Sequence, residues 1–175
     1  MSYLNIPNAL TTLRIILIPV FVGALVYKKN DYALIIFIFA AVTDFFDGLI
    51  ARMRNQQTKL GRFLDPVADK FLLVTAFVLF AVYGLVPKWL SITVISRDII
   101  IVTGWLMLYL TSHGTRIEPT ILGKLANAFQ LILLAYILLE LNLRDAGIPE
   151  PDILIIITAV LTVSSGIHYI YRGLT

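Results

Sequence analysis

Long apolar stretches separated by short polar connections limit this chain to a narrow class of folds. Each stretch approaches the roughly 20 residues that a helix needs to cross the hydrocarbon core of a bilayer. The stretches are residues 9–27, 32–53, 61–84, 88–111, 119–141 and 152–171. Their apolar residues run continuously instead of alternating, unlike the strands of a transmembrane β-barrel. The sequence therefore predicts an all-α integral membrane protein with six transmembrane helices.

The composition agrees with a membrane location. Of the 175 residues, 59% are hydrophobic and only 14% are charged, and the mean hydropathy is +0.88. A soluble domain of this length could not bury so much apolar surface. The opening MSYLNIPNAL lacks the basic region and cleavage site of a signal peptide, and no stretch resembles a linker. Residues 1–175 are therefore predicted to form a single membrane domain.

The distribution of basic residues predicts the orientation. An even number of crossings places both termini on one side, together with ten basic residues: Arg14, Arg52, Arg54, Lys59, Arg62, Lys70, Arg97, Arg116, Lys124 and Arg172. The other side has four: Lys28, Lys29, Lys88 and Arg144. By the positive-inside rule both termini face the cytoplasm, and we expect the inner (cell) membrane of a bacterium. The net charge of +3 follows from this local enrichment, so nucleic-acid binding is not predicted.

Four aspartates interrupt the apolar pattern in DFFDGLIARMRNQQTKLGRFLDPVADK, residues 44–70. An ionised carboxylate inside a membrane helix costs roughly 2.5–3.5 kcal/mol, so such residues usually have a function. Asp44 and Asp47 are three residues apart on the second predicted helix, and Asp65 and Asp69 are four apart on the third. Each spacing places a pair on one helix face. Because the connection is short, the helices should run antiparallel and bring the two pairs together.

Four neighbouring carboxylates would repel one another and take up protons unless cations bind between them. Hard oxygen ligands without His or Cys suit Mg²⁺ or Mn²⁺, and two such ions commonly serve phosphate chemistry. Gly48, Ala51 and Gly61 leave room for a ligand, although small residues also allow close helix packing. A divalent-cation transporter is a remote alternative, since transport carboxylates tend to lie near the midplane or in repeated halves.

The spaced pattern Asp44-x2-Asp47-Gly48-x2-Ala51-Arg52-x8-Gly61-x3-Asp65-x3-Asp69 resembles the signature of the CDP-alcohol phosphatidyltransferases. The resemblance continues in NIPNALTTLR at the start, SRD at 96–98 and LGK at 122–124. It implies a six-helix membrane domain, usually a homodimer, that transfers a phosphatidyl group from CDP-diacylglycerol to an alcohol and releases CMP.

The resemblance also implies roles for the motif residues. Asp44, Asp47 and Asp65 would hold the metal ions, and Asp69 would complete the site and act as the catalytic base. The CDP-diacylglycerol pocket would be formed by Asp44, Gly48, Ala51, Arg52, Gly61 and Asp65. The chain has no cysteine and no evident nucleophile near the motif, which favours direct attack by the acceptor hydroxyl.

The acceptor is predicted from less specific features. The opening NIPNALTTLRIILIP and the DPVADK segment resemble both the glycerol-phosphate and the cardiolipin branches of the family. Trp105 and Ala126 stand where the glycerol-phosphate branch usually has an arginine and a lysine, and PTILGKLANAFQLIL and SSGIHYIYRG resemble cardiolipin synthases. Phosphatidylglycerol is therefore the predicted acceptor, with glycerol-3-phosphate as the alternative. Arg97, Arg116 and Lys124 are candidate contacts for the acceptor phosphate, although membrane anchoring would also explain Arg116.

Overall fold

A computed structural model describes the backbone of residues 6–54, 61–111, 120–143, 147 and 149–174. It describes side chains at residues 13, 15–43, 70–104, 120–143, 147 and 149–171. This part of the chain forms six α-helices and no strand: α1 (Ile6–Val26), α2 (Asn30–Arg54), α3 (Gly61–Val82), α4 (Lys88–Thr111), α5 (Ile121–Asn142) and α6 (Asp152–Leu174). The all-α fold and its helix order are as the apolar pattern predicted.

Two helix ends have the same hydrogen-bonding motif around a left-handed residue. After α1, the N–H of Lys29 donates to the carbonyl of Ala24 at 2.8 Å, and Lys28 has a φ of 55°. After α3, the N–H of Leu85 donates to the carbonyl of Phe80 at 2.8 Å, and Gly84 has a φ of 73°. Both are Schellman endings, which satisfy the last carbonyls of a helix. Glycine is the usual residue at that position, so Lys28 is the strained member of the pair.

Among the residues that the structure describes, two helical segments are long and apolar enough to cross a membrane: Ile121–Asn142 and Asp152–Tyr171. The described parts of the other helices include shorter apolar segments, at Ile15–Val26, Asn30–Thr43 and Lys70–Val82. Along α6, exposed aliphatic side chains recur every three or four residues: Ile153, Ile156, Val160, Val163, Ile167 and Ile170. A continuous apolar face of this kind suits lipid rather than water. Length and apolarity thus support membrane spans for two of the six helices.

The described residues fall into two compact units. In the first, drawn from residues 1–79 and 138–148, α1 packs on α2, and the rings of Phe21 and Phe37 lie 5.9 Å apart. The Asn142 side chain donates to the carbonyl of Asn30 at 3.0 Å and so stabilises the start of α2. The expectation of a single domain over residues 1–175 stays a prediction.

The second unit, drawn from residues 80–137 and 149–175, combines α4 with most of α5 and α6. Here α6 turns a row of polar side chains inward, namely Thr158, Thr162, Ser165 and Tyr169. Their spacing of three or four residues keeps them on one helix face. The first three are fully buried, so each hydroxyl needs a partner on another helix.

Candidate active site

The aspartate motif lies on two helices. Asp44 and Asp47 belong to the second half of α2, and Asp65 and Asp69 belong to the first half of α3. Because both segments are α-helical, the spacings of three and four residues line up each pair along its own helix, as predicted. Their side chains lie outside the described residues, so convergence of the pairs and metal binding stay predictions.

The other predicted donor-site residues share that position in the chain. Gly48, Ala51 and Arg52 continue α2 after the first aspartate pair, and Gly61 is the first residue of α3. The structure thus places the whole motif on the end of one helix and the start of the next. The side-chain surroundings of these residues are not among those described, and Arg116 lies outside the described residues altogether.

Arg97 is the best-defined of the predicted acceptor contacts. It lies on α4 with only 5% of its surface exposed. Its Nη1 donates to Asp98 Oδ1 at 2.7 Å and to Asn127 Oδ1 at 3.0 Å. Its Nη2 donates to Ser165 Oγ at 2.8 Å. The guanidinium therefore joins three helices, and the adjacent carboxylate compensates its charge in the low-dielectric interior.

Tyr169 also contacts the guanidinium of Arg97, and together with Asp98, Asn127 and Ser165 these residues form one polar cluster. Its ring centroid lies 5.8 Å from Arg97 Cζ, within the range of a cation–π contact. Its hydroxyl accepts a hydrogen bond from the backbone N–H of Thr120 at 3.2 Å, just before α5 begins. The Thr120 side chain in turn caps α5 by accepting from the N–H of Gly123 at 3.1 Å. The start of α5, the end of α6 and the guanidinium are thus fixed relative to one another.

Gly123, in the LGK segment, makes this approach of α5 and α6 feasible. A Cβ atom at this position would lie 3.0 Å from both the ring and the hydroxyl oxygen of Tyr169. The adjacent Lys124 is exposed. The glycine is therefore explained by packing against a tyrosine that also contacts Arg97.

The burial of Ala126 bears on the choice between glycerol-3-phosphate and phosphatidylglycerol as the acceptor. Ala126 is fully buried on α5. A lysine there could reach a ligand only by displacing packed neighbours. The presence of alanine at this position is therefore weak evidence against glycerol-3-phosphate as the acceptor. Trp105 occupies the other position where a cation was expected, and its side chain lies outside the described residues.

Asn127, Ser165 and Tyr169 belong to the cluster but were not predicted as site residues. Their partners lie far along the chain: Asn127 is 30 residues from Arg97, and Ser165 is 68 residues from it. The SSGIHYIYRG segment contained the available signal, since Ser165 and Tyr169 are one helical turn apart there.

Comparison with known proteins identifies the class of protein. The model of the CDP-alcohol phosphatidyltransferase family matches residues 4–164. The chain is 34% identical to the CDP-diacylglycerol–glycerol-3-phosphate 3-phosphatidyltransferase of Bacillus subtilis (strain 168), over 97% of this chain and 95% of that protein. It is 39% identical to the protein of the same name from Escherichia coli (strain K12), over 95% and 93%.

A third relative comes from Mycobacterium tuberculosis (strain ATCC 25618 / H37Rv) and is named "Putative cardiolipin synthase". It is 36% identical over 70% of this chain and 59% of its own length. The chain belongs to the CDP-alcohol phosphatidyltransferase family. It is an enzyme of phosphatidyl transfer, and the three relatives named here come from bacteria.

Proposed function

We propose that this enzyme transfers the phosphatidyl group of CDP-diacylglycerol to glycerol-3-phosphate, giving phosphatidylglycerophosphate and CMP. One observation carries the proposal: two relatives with this named activity align over at least 93% of their own lengths and of this chain. The mycobacterial relative aligns over only 59% of its length. The comparisons therefore favour the alternative acceptor over phosphatidylglycerol, which the sequence alone had favoured.

The structure removes part of the case against glycerol-3-phosphate. Trp105 and Ala126 stand at two positions where a cation was expected to meet a phosphate dianion. Because Ala126 is fully buried, a lysine there could not reach a ligand without displacing packed neighbours. Arg97 remains as a donor with a fixed orientation, and Lys124 remains as an exposed cation. Both are retained here as acceptor contacts, together with Arg116.

The proposed reaction is a direct displacement at phosphorus. The acceptor hydroxyl oxygen attacks the β-phosphorus of CDP-diacylglycerol, and Asp69 takes the hydroxyl proton. The bond from the β-phosphorus to the bridging oxygen breaks, and CMP leaves with the electron pair. Arg52 would bind phosphate oxygens of the donor through its planar, permanently charged guanidinium. The cytidine-diphosphate group would lie against Gly48, Ala51 and Gly61, where small side chains leave room.

The aspartates fit a site for two divalent cations. All four donors are hard carboxylate oxygens, and the motif lacks the His or Cys ligands that favour other metals. We assign Asp44, Asp47 and Asp65 to metal binding, with Asp69 completing the set. Bound Mg²⁺ or Mn²⁺ would offset the negative charge that develops on the pyrophosphate during transfer.

The proposed membrane arrangement has six spans, with both termini and the aspartate motif on the cytoplasmic side of the inner membrane. It is supported by the exposed apolar face of α6 and by the basic residues that flank the motif. Exposed aromatic side chains near the ends of helices, Tyr27, Tyr32 and Trp89, match the aromatic belts of membrane proteins. A homodimer is proposed from the family resemblance.

The acceptor is tested directly with purified enzyme in detergent–lipid micelles. CDP-diacylglycerol is supplied with either glycerol-3-phosphate or phosphatidylglycerol, and CMP and the lipid products are separated and quantified. We expect CMP release and phosphatidylglycerophosphate with the first acceptor. Cardiolipin formation with phosphatidylglycerol, and no product from glycerol-3-phosphate, would instead support the cardiolipin synthase function.

A further inference from the structure

We infer that Asn127, Ser165 and Tyr169 are positioning residues that hold the Arg97 guanidinium so that one of its edges can bind the phosphate of the acceptor. The inference rests on the proposed function, in which the acceptor carries a phosphate. It adds three residues, from α5 and α6, that would act on acceptor binding through Arg97.

The hydrogen bonds of Arg97 leave two donors, one on each of two adjacent nitrogens of the guanidinium. The group has five N–H bonds. Both N–H bonds of Nη1 are used, by Asp98 and Asn127, and one N–H of Nη2 is used by Ser165. The Nε atom is buried and has no hydrogen-bond partner among the described residues. Nε and Nη2 are adjacent on the planar fork, which is the geometry that binds two oxygens of one phosphate.

The remaining contacts restrict the rotation of the guanidinium plane. Asn127 and Ser165 bind different nitrogens from different helices, at 3.0 and 2.8 Å. The Tyr169 ring is 5.8 Å from Cζ, and its own position is fixed by the N–H of Thr120. Since each contact constrains a separate direction, the edge containing Nε has one orientation rather than several. Such preorganisation lowers the ordering entropy lost when a ligand binds.

Because Asp98 offsets the charge of Arg97, binding of an anion depends more on the orientation that the neutral residues give to the guanidinium. Asp98 contacts Nη1 at 2.7 Å, with both side chains over 90% buried. The pair contributes little net charge to attract an anion over distance. Binding of a phosphate would then depend on two directed hydrogen bonds, which require a fixed donor geometry.

The chain contains a matched control for this inference. Ser165 and Thr162 are both fully buried on α6, and each hydroxyl accepts one hydrogen bond from another helix. Ser165 accepts from Arg97 Nη2 at 2.8 Å, and Thr162 accepts from Gln130 Nε2 at 3.1 Å. Ser165→Ala and Thr162→Val each remove one such bond, but only the first removes it from Arg97.

The test measures the KM for each substrate, kcat and the melting temperature of both variants in the same micelles. For Ser165→Ala we expect the acceptor KM to rise about tenfold, a change equivalent to about 1.4 kcal/mol, with kcat and the KM for CDP-diacylglycerol little changed. Both variants should lower the melting temperature by a similar amount, but Thr162→Val should leave the acceptor KM unchanged. Equal effects of the two variants on acceptor KM would overturn the inference.

Two further variants complete the test. One replaces Ser165→Ala if that variant does not fold, and the other shows whether the effects depend on Arg97. Asn127→Leu removes the other neutral acceptor at a half-buried position and should also raise the acceptor KM. In an Arg97→Lys background, which lacks the planar fork, either substitution should have no further effect on that KM. Independent, additive effects would show that these residues do not act through Arg97.

The same design separates this inference from the proposed function. If the wild-type enzyme uses phosphatidylglycerol and not glycerol-3-phosphate, the proposed function fails. The KM comparison is then made with phosphatidylglycerol, whose phosphodiester also offers two oxygens to the fork. A selective rise for Ser165→Ala would keep the inference, and equal effects of Ser165→Ala and Thr162→Val would reject it.

Discussion

The hydroxyl of Tyr169 accepts a hydrogen bond from the backbone N–H of Thr120 at 3.2 Å, which joins the end of α6 to the start of α5. The same tyrosine ring lies against Arg97. One aromatic side chain therefore connects a helix start to a buried cation. Substitutions that fill the space around the ring test this arrangement.

Gly123→Ala should destabilise the enzyme. The added Cβ would lie 3.0 Å from the ring and hydroxyl of Tyr169, and the ring cannot retreat without losing its contacts with Thr120 and Arg97. Overpacking of this kind typically costs about 1–3 kcal/mol. Gly104→Ala is the matched control, because its Cβ would meet nothing within 4 Å. Thermal melting in micelles should fall for the first and not for the second, whereas equal melting temperatures would mean that the ring yields.

The left-handed residue after α1 predicts a stabilising substitution. Lys28 has a φ of 55°, a conformation that glycine adopts more readily than residues with a Cβ. Lys28→Gly should therefore raise the free energy of unfolding by about 1 kcal/mol. Gly84→Ala, at the equivalent place after α3, should lower it by a similar amount. Lys29→Gly is the control for loss of the charge, and stabilisation by that variant instead would contradict the conformational explanation.

Much of this architecture is predictable from the sequence because it depends on local patterns. Apolar stretches between polar connections predicted the helices, and the three- and four-residue spacing of the aspartates predicted their alignment along α2 and α3. Arg97 was selected from the SRD segment as an acceptor contact, and that role stays a prediction; the structure adds that its guanidinium is buried and hydrogen-bonded to three side chains. The identity of those partners depends on how α4, α5 and α6 pack. The one-turn spacing from Tyr169 places Ser165, rather than the half-buried Ser164 beside it, on the polar face of α6, but it does not identify Arg97 as the partner.

The burial of Ala126 predicts that restoring a lysine there will fail to improve acceptor use. Ala126→Lys should lower the melting temperature, because a long charged side chain enters a fully buried site on α5. It should not increase turnover of glycerol-3-phosphate. Ala126→Leu distinguishes overpacking from the effect of charge. If Ala126→Lys keeps the wild-type melting temperature and increases turnover, position 126 is accessible to the acceptor, and the missing cation regains its weight in the argument for phosphatidylglycerol.

Metal removal should abolish transfer. We expect no CMP release after treatment with a chelator and full recovery with Mg²⁺ or Mn²⁺, since the proposed ligands are all carboxylates. Asp44→Asn, Asp47→Asn and Asp65→Asn should each nearly abolish turnover while the metal-free proteins melt no lower than the wild type, because each removes one charge from a repelling group. Asp31→Asn, at the exposed first turn of α2, is the control and should remain active. Full activity without metal would refute the assignment.

The assignment of Asp69 as the base predicts a specific kinetic defect. If this carboxylate takes the proton of the acceptor hydroxyl, Asp69→Asn removes the proton acceptor and should lower kcat by about 10²–10⁴-fold. Binding of CDP-diacylglycerol should change far less, because the proton transfer belongs to the acceptor. Single-turnover kinetics with pre-bound donor separate chemistry from binding, and a direct binding measurement with CDP-diacylglycerol and metal completes the comparison. A parallel loss of donor binding would make Asp69 chiefly a metal ligand and would leave the base to be sought elsewhere.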